Sequence, residues 1–324
     1  MSNVWLDVKN VTKVFRIGGI YFGERLTAVD NVSLRFVDGE KVFLSIVGES
    51  GSGKTTLAKM ILGIVEPTSG DILYNGKSIF KLNKSEKKKF RKDVQPIFQN
   101  PYESFNPLRK VDEYLYSTLL GYNPIDRKDA NNILETVLNM VGLDLERVKG
   151  KYPHEFSGGE LQRIAIARAL TTNPRLLIAD EPVSMIDATL RMSILNIFFE
   201  LKDRFSTSIV YITHDLATAY YISDYIMIMY RGSVVEYGEV KEVLEDPLHP
   251  YTRILIESIP KPNPKLRWKE EIKLSGLEVK EFEALGCKFS NRCPCAKDRC
   301  FKERPPEITL DGRKVYCWIY YIDK

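Results

Sequence analysis

Residues 41–64 read KVFLSIVGESGSGKTTLAKMILGI, and this stretch decides the fold. Lys41 to Val47 is a short apolar run ending at a glycine, the pattern of a strand buried on both faces. Thr55 to Ile64 places its apolar residues at helical spacing, and Pro67-Thr68-Ser69-Gly70 closes the segment. The turn between them carries Gly48, Glu49, Ser50, Gly51, Ser52, Gly53, Lys54, Thr55 and Thr56. Its glycine amides and the start of the following helix form a cradle for phosphate oxygens. Lys54 adds a point charge, and the Thr55 hydroxyl can hold Mg²⁺. The stretch therefore predicts an α/β core built around a nucleoside triphosphate site.

Hydrolysis needs more than a cradle. Leu176 to Glu181 reads LLIADE, an apolar strand ending in two carboxylates. Asp180 at the strand's end can reach the Mg²⁺ shell, and Glu181 can orient or deprotonate the attacking water. Ser208 to Thr213 (SIVYIT) is a further strand beyond an intervening helix, so strand and helix alternate as in a mostly parallel sheet. Phe156-Ser157-Gly158-Gly159-Glu160 precedes LQRIAIARAL, a strong helix former, and makes a second anion-binding helix start. Two such starts are redundant in one site. They make sense if the second completes the site of a neighbouring subunit.

The chain has 324 residues, 44% hydrophobic and 28% charged, enough for a large packed domain with an appendage. A net charge of only +4 gives no global case for nucleic acid or an anionic membrane. Without an uninterrupted apolar run of membrane length or a basic-then-apolar N-terminus, we expect neither a secreted nor a membrane-spanning chain. Lys81 to Lys92 (KLNKSEKKKFRK) reads as a solvated helix face. Residues about 100–170 read as an inserted helical layer punctuated by Pro101, Pro107, Pro124 and Pro153.

Near Ile259 the character changes, because Pro260, Pro262 and Pro264 suit neither a helix nor a central strand. This divides the chain into a nucleotide-binding domain, 1–259, and an extension, 260–324. All five cysteines lie in that extension. The odd count argues against a disulfide framework. Four soft thiolates in a short tail suit Zn²⁺ or an iron–sulfur cluster, and spacing does not choose between them.

These motifs, in this order, resemble the ATP-binding subunits of ABC transporters, over about Phe15 to Ile259. Ser157 to Glu160 matches the family's signature motif, whose usual form ends in glutamine. Gln99, in PIFQNP, matches the Q-loop, which senses Mg²⁺ and water and transmits motion to the transmembrane partner. His214 matches the switch histidine that contacts the γ-phosphate. Asp187 fits the loop at the subunit interface, and Phe15 fits the aromatic that stacks on adenine. The tail GCKFSNRC (286–293), with PLHPYT (247–252), looks like the oligopeptide/dipeptide importer branch. There a C-terminal extension carries four cysteines and, in some members, a [4Fe-4S] cluster. Cys287, Cys293, Cys300 and Cys317 match those positions, while Cys295 has no counterpart.

The resemblance implies a P-loop nucleotide-binding domain with a β subdomain, a RecA-like α/β core, an inserted helical subdomain and a small cysteine-rich extension. It implies an ATP hydrolase using Mg²⁺ held by Thr55, Gln99 and Asp180, with Glu181 as base. Two such domains would sandwich ATP head to tail. The implied partners are two transmembrane permease subunits, a second ABC ATPase (heterodimer or homodimer) and, indirectly, an extracytoplasmic solute-binding protein. That places the chain at the cytoplasmic face of the cell membrane, energising uptake of peptides or related solutes such as oligosaccharides. The rival is a non-transport ABC ATPase of translation or DNA repair. Such proteins carry a second domain or long coiled-coil insertions, and neither is apparent here.

Overall fold

In the computed structural model, which describes residues 3–17, 24–205, 207–258, 281–282 and 284–321, the run Phe43–Val47 is a strand buried along its whole length. Two long antiparallel strands precede it, β1 (Val4–Ile17) and β2 (Glu24–Val37). With β4 (Ser69–Tyr74) and β5 (Lys77–Ser78) they form one sheet in the order β2-β1-β4-β5. The central run is β3. It lies in the second sheet, in the order β11-β12-β10-β9-β3-β8-β7-β6.

The second sheet is parallel from β9 to β6: β6 (Val94–Ile97), β7 (Leu176–Asp180), β8 (Ser208–Thr213) and β9 (Tyr225–Tyr230). The strands alternate with α1 (Lys54–Ile61), α2 (Lys84–Asp93), α7 (Ala188–Phe205) and α8 (Leu216–Ile222). Sequence reading anticipates this alternation, and crossover helices are what a parallel sheet requires. Between β6 and β7 lies the helical layer: α3 (Val111–Tyr122), α4 (Arg127–Met140), the short α5 (Leu145–Val148) and α6 (Gly158–Leu170). Leu115, Leu119, Leu134, Leu138 and Ile164 make its core, which is continuous with Leu195 and Phe198 of α7. The basic run forms α2, capped by Asn83 and Glu86, and it buries only Phe90. Among the described residues no helix is long and apolar enough to cross a membrane.

The boundary read near Ile259, with Pro260, Pro262 and Pro264, lies outside the described residues. Before it come β10 (Ser233–Glu239), α9 (Val240–Glu245) and α10 (Pro250–Glu257). After it come α11 (Asp298–Lys302) and the strands β11 (Ile308–Leu310) and β12 (Arg313–Val315). The extension does not stand apart, because β12 pairs with β10 through Glu236 and Tyr237, adding two antiparallel strands to the core sheet. Phe289 is buried against Tyr230 of β9 and Tyr251 of α10, at ring separations of 5.2 and 5.4 Å.

His249 caps α10: its Nδ1 accepts from the Tyr251 amide at 3.0 Å. Burial pushes its pKa down from 6.5 to about 3. The unfolded chain therefore takes up a proton near pH 6.5 while the folded chain stays neutral, so stability is full above that pH and falls below it. Glu236, which accepts from the Leu248 and His249 amides, works in the opposite sense, because burial raises its pKa. Asparagine keeps a capping acceptor without the titration. Denaturant midpoints at pH 7.5 and 5.5 should show the unaltered chain losing about 1.4 kcal/mol more than His249→Asn. Equal losses would contradict a buried neutral imidazole.

Candidate nucleotide site

All the parallel strands present their C-terminal ends on one side, and there the motif residues collect, as ligand sites do in open α/β sheets. The phosphate loop leaves β3 at Val47, Gln99 follows β6, Asp180 and Glu181 end β7, and His214 follows β8. At Gly53 the backbone is left-handed, with φ +97°, and a Cβ there would lie 2.1 Å from the Ala28 carbonyl, so only glycine fits. Gly53 is also the N-cap of α1 and offers no side chain to the first amides of that helix. Those amides are left for an anion.

Lys54 is buried and folds back over the loop, donating to the Gly48 and Glu49 carbonyls at 2.8 Å each and to Ser52 Oγ at 3.2 Å. Burial lowers its pKa, opposed by Glu181, Asp180 and Glu49. Thr55 donates to Asp180 Oδ1 at 3.2 Å. Burial raises the Asp180 pKa, and a dication beside it would relieve that cost. A hydroxyl and a carboxylate as hard oxygen donors fit Mg²⁺, with Gln99 adjacent.

Glu181 has φ +45°, an uncommon conformation for a residue with a side chain and one that recurs at functional sites. Its carboxylate is held from both sides. Gln99 Nε2 donates to Oε2 at 3.1 Å, and His214 Nδ1 lies 3.3 Å from Oε1. Gln99, Glu181 and His214, from three strand ends, thus form one chain of contacts next to the Thr55–Asp180 pair. This arrangement can hold a metal, orient a water molecule and accept its proton.

The second helix start behaves differently from its sequence reading. Ser157 is the N-cap of α6, and Glu160 completes a capping box, taking both the Ser157 amide at 3.0 Å and its hydroxyl at 3.1 Å. Gly158 and Gly159 follow in the first turn. Glu160 also pairs with Arg147 at 2.8 Å, and its pKa is lowered, the Ser157 amide being the main cause. The Glu160 carboxylate therefore already takes the Ser157 amide and hydroxyl that the sequence reading offers to an anion. Asp187 is exposed at the start of α7, beside exposed Met185. Phe15 is 37% exposed on β1 with Lys13 Nζ 5.2 Å from its ring, available for stacking and not buried as an ordinary strand aromatic would be. His154 stacks on Tyr152.

The tail departs from expectation. Among the described residues no three thiol, imidazole or carboxylate groups converge closely enough to hold a metal ion. Cys287, Cys293, Cys300 and Cys317 are therefore not gathered into the ligand shell that the resemblance implies. They are neighbours all the same. Burial pushes Cys287 up to about 12 and Cys317 up to about 11, and the charge of the other thiolates adds to both shifts. Cys295 is exposed.

Comparison with known proteins bears on the chain from end to end. Residues 29–184 match the ABC transporter family, and residues 235–300 match the C-terminal region of the oligopeptide/dipeptide transporter family. The chain is 38% identical to the di/tripeptide transport ATP-binding protein DppF of Pseudomonas aeruginosa, over 96% of each. It belongs to the oligopeptide/dipeptide-transporter branch of the ABC ATPases. Within that branch it is also 39% identical to the oligopeptide transport ATP-binding protein AppF of Bacillus subtilis, over 97% of each. The fold is similar to the ABC cassette MJ0796 in a dimeric post-hydrolysis state with ADP and phosphate. That match has a TM-score of 0.63 and 29% identity, and covers 72% of this chain and 98% of that one. The chain is accordingly an ATP hydrolase of the ABC class.

Proposed function

We propose that this protein is the ATP-hydrolysing subunit of an importer for peptides or closely related solutes, working through partner permeases. The observation that carries the reading is the Glu181 carboxylate, bracketed by Gln99 and His214 beside the Thr55–Asp180 pair, in a chain whose tail matches the oligopeptide/dipeptide branch. Lys54 and the loop amides bind the phosphates, Phe15 stacks on the base, and Thr55, Gln99 and Asp180 arrange Mg²⁺. When bound there, Mg²⁺ would supply positive charge against that developing on the phosphates. Glu181 takes the proton of the attacking water, and His214 positions that water against the γ-phosphate.

The working unit is a head-to-tail pair with a related subunit. Ser157, Gly158, Gly159 and Glu160 of each subunit close on the other's ATP, with Asp187 at the seam. Phe98, Tyr102 and Leu108 are exposed apolar side chains close in sequence to Gln99, and they suit contact with a permease on the cytoplasmic face of the membrane. For the tail, the four neighbouring thiols would have to draw together to hold a cluster, or zinc in its place, and its role would be structural.

One purification tests this. Glu181→Gln bait, solubilised anaerobically from native membranes with ATP and Mg²⁺, should retain two multispanning proteins and a second ATPase. A linked solute-binding protein would identify the cargo. Ribosomal proteins or nucleic acid in their place would replace the transport reading with the translation or repair one. Iron and acid-labile sulfide in stoichiometric amount support the cluster, and stoichiometric zinc without sulfide overturns it.

A further inference from the structure

The phosphate loop is gripped from behind by residues that no motif names. The Glu49 amide donates to Tyr251 Oη of α10 at 3.0 Å. The Glu49 carboxylate meets the Arg292 guanidinium in a two-pronged pair, Nη1 to Oε2 and Nη2 to Oε1, each at 3.3 Å. Arg292 belongs to the C-terminal extension, 243 residues away in sequence. It is itself anchored, because Nη1 also donates to Tyr230 Oη, which donates to the buried Glu281, and Arg231 pairs with the same carboxylate. Phe289 underlies the group, with the guanidinium 5.8 Å from its ring centre.

Glu49 lies next to Gly48 and within the electrostatic reach of Lys54. Left unpaired, a carboxylate in a phosphate cradle repels the polyanion that the cradle must bind. Arg292 cancels that charge, and its fork geometry fixes the side chain as a lysine could not. Burial disfavours the Arg292 cation, but its bonds to Glu49 outweigh this, and its pKa is raised overall.

We infer that Arg292 is a positioning residue for ATP: through Glu49, and together with Tyr251, the C-terminal extension holds the phosphate loop in its binding shape and screens it from its own carboxylate. This rests on the loop being the ATP site. The extension thereby tunes nucleotide affinity, and any partner or modification that loosens its Arg292 segment weakens ATP binding without touching the hydrolytic residues.

The test uses the full chain with Mg-ATP, by calorimetry and steady-state hydrolysis. Arg292→Gln should raise Kd and KM about two- to fivefold, the scale of one partly exposed ion pair, with kcat within about twofold. Arg292→Lys should recover part of the loss. The deciding variant is Arg292→Gln with Glu49→Gln, which removes the unpaired charge and should bind ATP more tightly than Arg292→Gln alone. If Arg292 only packs the fold, the double variant will be as weak as the single one or weaker, and the inference fails. Unchanged Kd in Arg292→Gln also overturns it. If the unaltered chain binds no ATP, the failure lies with the function itself.

Discussion

Glu181→Gln should reduce ATP hydrolysis by about 10²-fold or more while leaving ATP binding intact, the usual scale for removing a general base. The substitution is isosteric, so the amide can keep both neighbours, Gln99 Nε2 and His214 Nδ1, which now meet the carboxylate at 3.1 and 3.3 Å. What is lost is the proton acceptor. Because the base acts only in the chemical step, the effect should fall on kcat and spare Kd. Single-turnover phosphate release gives the first number and calorimetry the second. With hydrolysis blocked, the closed pair should persist in ATP and Mg²⁺ and elute as a dimer. Near-normal turnover would remove Glu181 from the chemistry and move the base to a water chain or to His214. A matching loss of ATP affinity would mean that the carboxylate organises the cradle instead.

The catalytic half of the molecule was legible because its chemistry is written locally. A glycine-rich turn between an apolar strand and a helix has few other uses, and LLIADE ends a strand where the sheet topology brings it to the same edge. What could not be read is non-local or depends on side-chain choice among equals. Arg292, within Ser290-Asn291-Arg292, looks like any exposed basic residue until the fold carries it to Glu49. Glu236 of β10 is fully buried and takes the Leu248 and His249 amides just before α10, a pairing across α9 that no local pattern announces. At the second helix start the spacing Ser157-x-x-Glu160 is that of a capping box, the signal that the carboxylate would turn back on the Ser157 amide and hydroxyl. The strand of the extension that joins β10 has only three residues, Arg313–Val315, too few for alternation to register.

Phe289→Ala should destabilise the whole protein by about 3–5 kcal/mol, the cost of emptying a filled aromatic site. The ring is 1% exposed and lies among Tyr230, Tyr251 and His249, residues of β9, α10 and its cap, so the cavity opens inside a core shared by extension and ATPase domain. Tyr230 and Tyr251 also pack on each other, with ring centres 4.6 Å apart, which limits how far the site can collapse. A loss of that size lowers the melting temperature by about 4–7 °C in a chain of 324 residues. The shape of the transition matters as much as its position. If extension and domain are one cooperative unit, calorimetry will show a single peak moved down. ATP affinity will fall as well, since Tyr251 and Arg292 both lose their support behind Glu49. If a small early transition separates and the main peak stays in place, the extension folds on its own and its grip on the phosphate loop is incidental.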